Sequence, residues 1–286
     1  MMKNNSFKPF TLCCGSRLLS FDRPAVMGIL NVTDDSFYDG GRYRGRDQYL
    51  LRASEMAADG ADIIDIGAVS TRPGAQLLDP VVEAQRLSEV VKDVRNLLPD
   101  AVISVDTCFS VPARAAVEAG ADIVNDISGG SFDSLMFETV AELNTPYVLM
   151  HNLSTPDHMQ DNPQYEDILK DVVLFFSQRL EKLYRLGVKD VVIDPGFGFS
   201  KTLDHNYQLF SRIGQIKDLF PNEPLMVAIS RKSMIYKLLE TTPEDALIGT
   251  TALHAAALLS GAQMLRVHDV RAALQVVKTI SRLTNQ

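Results

Sequence analysis

The sequence has only three cysteines, Cys13, Cys14 and Cys108, and no two of them are spaced as a CxxC pair. That argues against a disulfide framework and against a cysteine-held zinc site. The expectation is a cytoplasmic protein with reduced thiols. No apolar run reaches the roughly 20 residues that span a bilayer. The opening Met1-Met2-Lys3-Asn4-Asn5-Ser6 lacks the apolar core of a secretory signal. Positive charge is in short supply too: the net charge is -8, which leaves no basic face for non-specific nucleic-acid binding. No glycine-rich phosphate loop follows the first apolar run, and this disfavours an open, doubly wound sheet. Neither a nucleophile–base triad nor a catalytic cysteine stands out.

What is present is a rhythm. Four helix-like stretches end in a glycine, Gly60, Gly120, Gly187 and Gly261, and a short apolar run follows each within a few residues. Glycine just past a helix end takes the left-handed conformation without a Cβ clash. A short β-branched run between glycine and polar residues reads as a buried parallel strand. Eight such runs are legible: Val26–Val32, Ile63–Ile66, Val102–Asp106, Ile123–Asp126, Tyr147–Met150, Val191–Asp194, Leu225–Ala228 and Met264–Val267. Helical stretches are expected over Asp47–Asp59, Val81–Leu98, Ser110–Ala119 with Ser110 as cap, Asp167–Leu186, Pro243–Ser260 and Val270–Leu283. Phe10–Leu12 and Leu18–Ser20 flank a Gly-Ser turn and suggest a hairpin ahead of the repeat. The fold expected is α/β, a (β/α)8 TIM barrel with a short N-terminal β-hairpin. With no linker or composition break, residues 1–286 read as a single domain.

In such barrels the loops after the strand C-termini build the active site. Asp106, Asp126 and Asp194, with Asn125, stand near strand ends. Such aspartates also cap helices and turns. Several at successive strand ends, however, suit a ligand edge with adjacent N–H groups, held by bidentate bonds. Asp194-Pro195-Gly196-Phe197-Gly198-Phe199-Ser200-Lys201-Thr202 brings backbone and aromatic faces to a planar ring, or is a well-packed turn. Ser230-Arg231-Lys232-Ser233 opens a helix where free N–H groups favour an anion, or is a solvated basic turn. Arg266 and His268 alternate onto one face after the eighth strand. Together with Arg72, Arg231 and Lys232 they form a basic cluster within an acidic chain, as a small anionic ligand would require. The segments after strands one and two, around Asn31–Gly41 and Ser70–Ala75, have the Gly, Ser and Asp content of loops over an active site.

Taken in order, these segments resemble the dihydropteroate synthase family. The resemblance rests on Gly28-Ile29-Leu30-Asn31-Val32-Thr33, Asp35-Ser36-Phe37, Ser70-Thr71-Arg72-Pro73-Gly74-Ala75, Val105-Asp106-Thr107, Asn125-Asp126-Ile127-Ser128-Gly129-Gly130, the Asp194 loop, Ser230-Arg231-Lys232-Ser233 and Arg266-Val267-His268-Asp269-Val270. It implies a sulfonamide target in folate biosynthesis that joins p-aminobenzoate to 6-hydroxymethyl-7,8-dihydropterin diphosphate. Asp106, Asn125, Met150, Asp194, Phe199 and Lys232 would bind the pterin. Asn31, Arg72, Arg266 and His268 would bind the diphosphate, with Asn31 also on a magnesium ion. Phe37, Thr71, Arg72, Pro73, Phe199, Lys232 and Ser233 would line the p-aminobenzoate site. Asp106, Lys232, Arg266 and Asp39 would carry the catalytic roles, Asp39 by ordering the first loop. The resemblance also implies a homodimer, with neither a nucleic-acid nor a membrane partner.

The sequence departs from the family pattern at Asp34, at Ala68-Val69, at His151-Asn152 and at Ala228-Ile229. Val69 removes a carboxylate from the second loop. Two other functions compete. A pterin-binding barrel that passes a methyl group from folate to a corrinoid protein needs neither the Ser-Thr-Arg-Pro loop nor Arg-Val-His, and both are present. A non-catalytic pterin binder would be expected to lose Asp106, Lys232 or Arg266, and all three are retained.

Overall fold

The computed structural model describes residues 7–15, 17–32, 42–68, 78–153 and 163–284. A hairpin of β1 (Phe10–Cys14) and β2 (Arg17–Phe21) precedes the main sheet, with Gly15 in its turn at φ +59°. The sheet is built from β3 (Ala25–Asn31), β4 (Ile63–Gly67), β5 (Val102–Asp106), β6 (Ile123–Asp126), β7 (Tyr147–Met150), β8 (Val191–Asp194), β9 (Met226–Val227) and β10 (Met264–Val267). All pairings are parallel, and they run β8-β7-β6-β5-β4-β3-β10-β9. A bridge between Ile193 and Leu225 joins the two ends, so the sheet closes into a barrel.

Helices cover the outside: α1 (Arg42–Asp59), α2 (Pro80–Leu97), α3 (Ser110–Glu118), α4 (Met136–Leu143), α5 (Ile168–Arg185), α6 (Leu203–Ser211), α7 (Ile213–Leu219), α8 (Ser233–Tyr236), α9 (Leu247–Leu259) and α10 (Val270–Thr284). The four punctuating glycines, Gly60, Gly120, Gly187 and Gly261, have φ of +94°, +115°, +88° and +98°. These are the left-handed helix ends that the sequence implied.

Some expectations needed correction. Ser110 is not a cap. It is the first residue of α3, and its N–H and Oγ both donate to Asp133 Oδ2, at 2.8 and 2.6 Å. α9 begins at Leu247 rather than near Pro243, because the Pro243 and Glu244 carbonyls accept from Arg231. Helices α4, α6 and α7 were not anticipated. α6 carries a capping box between Thr202 and His205, a local helix-start signal present in the sequence.

Alternation sorts each strand into two faces. Outward residues such as Ile64, Ile66, Val105, Val124, Leu149, Ile193, Val227 and Leu265 pack under the helices in one large core. Inward residues at the strand beginnings (Met27, Ile63, Ile123, Val148, Val192, Met226 and Met264) form a separate apolar floor. Phe10, Leu12 and Cys14 of the hairpin close that floor from below. Among the described residues, no helix is long and apolar enough to cross a membrane.

Candidate active site

Two residues further along the same inward face, the lining turns polar. The inward positions above the floor are Asp65 on β4, Ser104 and then Asp106 on β5, Asn125 on β6, Met150 on β7, Asp194 on β8 and Arg266 on β10. Arg266 reaches across the barrel. Its Nε donates to Asp65 Oδ2 at 2.6 Å, and its Nη2 donates to Asp106 Oδ2 at 2.5 Å. Asn125 Nδ2 donates to the same Asp65 oxygen at 3.0 Å. One guanidinium thus ties two buried carboxylates.

This cluster leaves acceptors open. Asp65 Oδ1 and Asp106 Oδ1 are buried and have no hydrogen-bond partner among the described residues. Such atoms call for donors from a bound molecule, since burying an unpaired polar atom is costly. Burial pushes the Asp106 carboxyl up; Arg266 opposes this, while Asp65 and Asp126 add to it. Burial also raises Asp194, against the pull of Lys232 and of the Gly196 N–H, which donates to Asp194 Oδ1 at 2.8 Å. Lys232 is pushed down to about 8, chiefly by burial, with Asp194 acting against the shift.

The loop after β8 is shaped by backbone approach. A Cβ on Gly196, at φ +67°, would lie 2.0 Å from the His151 carbonyl oxygen. Gly198, at φ +84°, leaves room for the Lys232 stem, whose Cδ would be 3.2 Å from an added Cβ. Lys232 Nζ donates to the Phe197 carbonyl at 2.7 Å and lies 4.6 Å from the centroid of the Phe199 ring. Phe199 packs in a small cluster with Cys108, Ile127 and Met150.

Next to it is the corner made by β10 and the segment after β9. The His268 N–H donates to Ser230 Oγ at 3.2 Å, and His268 Nδ1 lies 3.1 Å from the same hydroxyl. Burial first, and Arg266 second, push His268 down to about 4. Ser233 is half-buried at the start of α8, and Asn31 is exposed at the end of β3.

Of the site residues read from the sequence, Asn31, Asp106, Asn125, Met150, Asp194, Phe199, Lys232, Ser233, Arg266 and His268 all fall at this end of the barrel. Phe37, Asp39, Thr71, Arg72 and Pro73 lie outside the described residues, as do the departures at Asp34 and Val69. Two residues are corrected. Asp126 points outward to the helices, where it accepts from the Tyr147 hydroxyl and from the N–H groups of Ser128 and Gly130. Arg231 is committed to a two-pronged ion pair with Asp269, at 2.8 and 2.9 Å, so it is not part of the basic cluster. Asp65 was missed. A carboxylate within Ile63-Ile64-Asp65-Ile66 needs a buried partner, and that was the available signal.

The family model described as "Pterin binding enzyme" matches residues 27–268. Dihydropteroate synthase of Streptococcus pyogenes serotype M3 is 41% identical over 263 residues, covering 91% of this chain and 95% of that one. A crystal structure of the Yersinia pestis dihydropteroate synthase with a sulfonamide drug complex superposes at a TM-score of 0.89, with 37% identity over 97% of this chain and 100% of that one. The Thermus thermophilus dihydropteroate synthase in complex with 4-aminobenzoate gives a TM-score of 0.84 at 36% identity, covering 96% and 100% of the two chains. With a polar, cation-bearing pocket at the strand C-termini and similarity along nearly its whole length, the chain belongs to the dihydropteroate synthase family of pterin binding enzymes.

Proposed function

We propose that this protein condenses p-aminobenzoate with 6-hydroxymethyl-7,8-dihydropterin diphosphate, giving 7,8-dihydropteroate and diphosphate. The observation that carries the reading is the buried Asp65–Arg266–Asp106 cluster with two carboxylate oxygens awaiting donors. A pterin edge is rich in N–H groups. Asp106, Asn125 and Asp194 meet that edge, Lys232 meets its acceptor side, and Met150 packs on the ring. Arg266 and His268 take the diphosphate, joined by Arg72 from the second loop. The amine ring lies against Phe199 and the Lys232 stem, near Ser233, with Phe37, Thr71 and Pro73 closing over it and Asp39 ordering the first loop.

Bond breaking leads in this reading. Cationic groups neutralise the departing diphosphate, and the Asp106 carboxylate stabilises the positive charge left on the pterin methylene. The arylamine nitrogen then attacks that carbon and gives up a proton, so no protein nucleophile is required. Asn31, exposed at the rim, would hold a magnesium ion through its side-chain oxygen alongside phosphate oxygens of the substrate. An ion held there would supply charge neutralisation of the leaving group. Association as a homodimer is supported by apolar side chains exposed around α8 and α9, Leu238 (53%), Leu239 (52%) and Ile248 (82%). The free thiols of Cys13, Cys14 and Cys108 suit a cytoplasmic setting.

The test is diphosphate release from the pterin diphosphate with magnesium, with and without p-aminobenzoate. Release coupled to dihydropteroate formation is expected. Tight pterin-diphosphate binding without turnover would make the protein a binder rather than a synthase.

A further inference from the structure

Lys201 is a buried lysine with no part in the reaction described above, pushed down to about 7 chiefly by burial, with Asp194 acting against the shift. The residue is 2% exposed, and its ammonium has three partners: the Gly196 carbonyl at 2.9 Å, the Phe199 carbonyl at 3.0 Å and His151 Nδ1 at 2.9 Å. His151 is fully buried just past β7, and its backbone N–H donates to the Asp194 carbonyl at 2.9 Å. Burial, then Lys201, holds the His151 imidazole well below its ordinary value. The ring is therefore neutral and its Nδ1 faces the Lys201 amine, while Nε2 is buried with no hydrogen-bond partner among the described residues.

Burying an ammonium is costly, and a methionine would fill a similar volume. The three bonds show what the lysine adds. Gly196 O also accepts from the Phe199 N–H at 3.1 Å, so Gly196 and Phe199 are the two ends of one turn. Lys201 clamps both ends to the end of β7. The turn's middle carries the Phe197 carbonyl that anchors Lys232 Nζ, and its last residue carries the ring beneath that ammonium.

We propose that Lys201, through His151, is a positioning residue for the arylamine: it fixes the turn that presents the Phe199 ring and the Lys232 stem as one wall. The inference rests on the arylamine reading of Phe199 given above. It predicts a larger effect on the arylamine than on the pterin: Asp106, Asn125 and Arg266 are held by β5, β6 and β10, whereas of the pterin residues Asp194 and Lys232 touch this turn, through Gly196 and Phe197.

The experiment compares K201M, H151L, H151N and F199A in the full chain. It measures p-aminobenzoate KM, pterin-diphosphate Kd by calorimetry, and Tm. K201M is expected to raise the arylamine KM about tenfold while pterin-diphosphate Kd rises by no more than about threefold, a difference that marks the arylamine wall as the main thing the clamp holds. H151L moves KM in the same direction, and H151N, whose carboxamide oxygen stands in for Nδ1, restores it. If F199A leaves KM unchanged, the arylamine reading of Phe199 fails. If F199A raises KM and K201M does not, or if K201M weakens both substrates alike, the positioning role is overturned. Should K201M fail to fold, equal KM values for H151L and H151N overturn it instead.

Discussion

The floor and the rim of this barrel are built from the same strands, two residues apart, and they solve opposite problems. On the floor, Met27, Ile63, Ile123, Val148, Val192, Met226 and Met264 meet the hairpin's Phe10, Leu12 and Cys14, and burial alone stabilises them. On the rim, Asp65, Asp106, Asn125 and Asp194 are also buried and Arg266 is half-buried among them, and each needs a partner to be there. The floor is complete in the free protein. The rim is not, because two of its carboxylate oxygens have no partner among the described residues. One end is organised for stability and the other is held ready for a ligand, at a cost in stability that the floor and outer core offset.

Substitutions at the two ends should therefore behave differently. The largest effect is expected at Arg266. R266A leaves Asp65 and Asp106 buried without their shared cation, and breaking such a pair costs about 3–5 kcal/mol. Chemical denaturation measures that loss. The same variant should lose more affinity for the diphosphate ester than for a phosphate-free pterin; equal losses would remove Arg266 from the diphosphate site. Next comes M264A on the floor of the same strand. Stability should fall by about 2–4 kcal/mol, as for large-to-small core changes, with kcat/KM close to the wild-type value below the melting transition. A drop in kcat/KM matching that of R266A would erase the distinction between floor and rim.

Third is D194N, which removes a charge from a buried group that holds the Gly196 N–H and faces Lys232. Pterin affinity should weaken by about 1.5–3 kcal/mol, the value of a charge-assisted bond; calorimetry at wild-type affinity would contradict the assignment. The smallest effect concerns protons. His268 is held at about 4 in the folded chain against an ordinary 6.5. A depressed histidine binds its proton first in the unfolded chain, so its contribution to stability is present above pH 6.5 and is lost as the pH falls towards 4. That loss is about 1–2 kcal/mol after allowing for partial solvent contact. H268Q should flatten the melting-temperature profile over this range, whereas M264A should shift it without changing its slope.

Much of the rim was legible because its residues stand next to strand ends. Asp106 and Asp194 close their strands, and Asn125 sits one residue before the end of β6. Asp65 escaped the reading because it lies mid-strand, where a search of strand ends does not look. Asp126 was drawn in for the opposite reason: it is at a strand end, but alternation turns it outward to Tyr147. Arg231 looked like one more pocket cation until Asp269 engaged it. The clamp of Lys201 on His151 joins residues 50 apart in sequence, and neither position announces it.

The sequence by itself determined the barrel, the hairpin and the order of the family's motifs. Glycine at a helix end, β-branched runs and capping groups act over a few residues, so their meaning is local. Only the tertiary structure decided which polar side chains share the pocket. A shift of one position along a strand reverses the face, and a buried charge is set by partners from distant strands, which only closure of the sheet brings together.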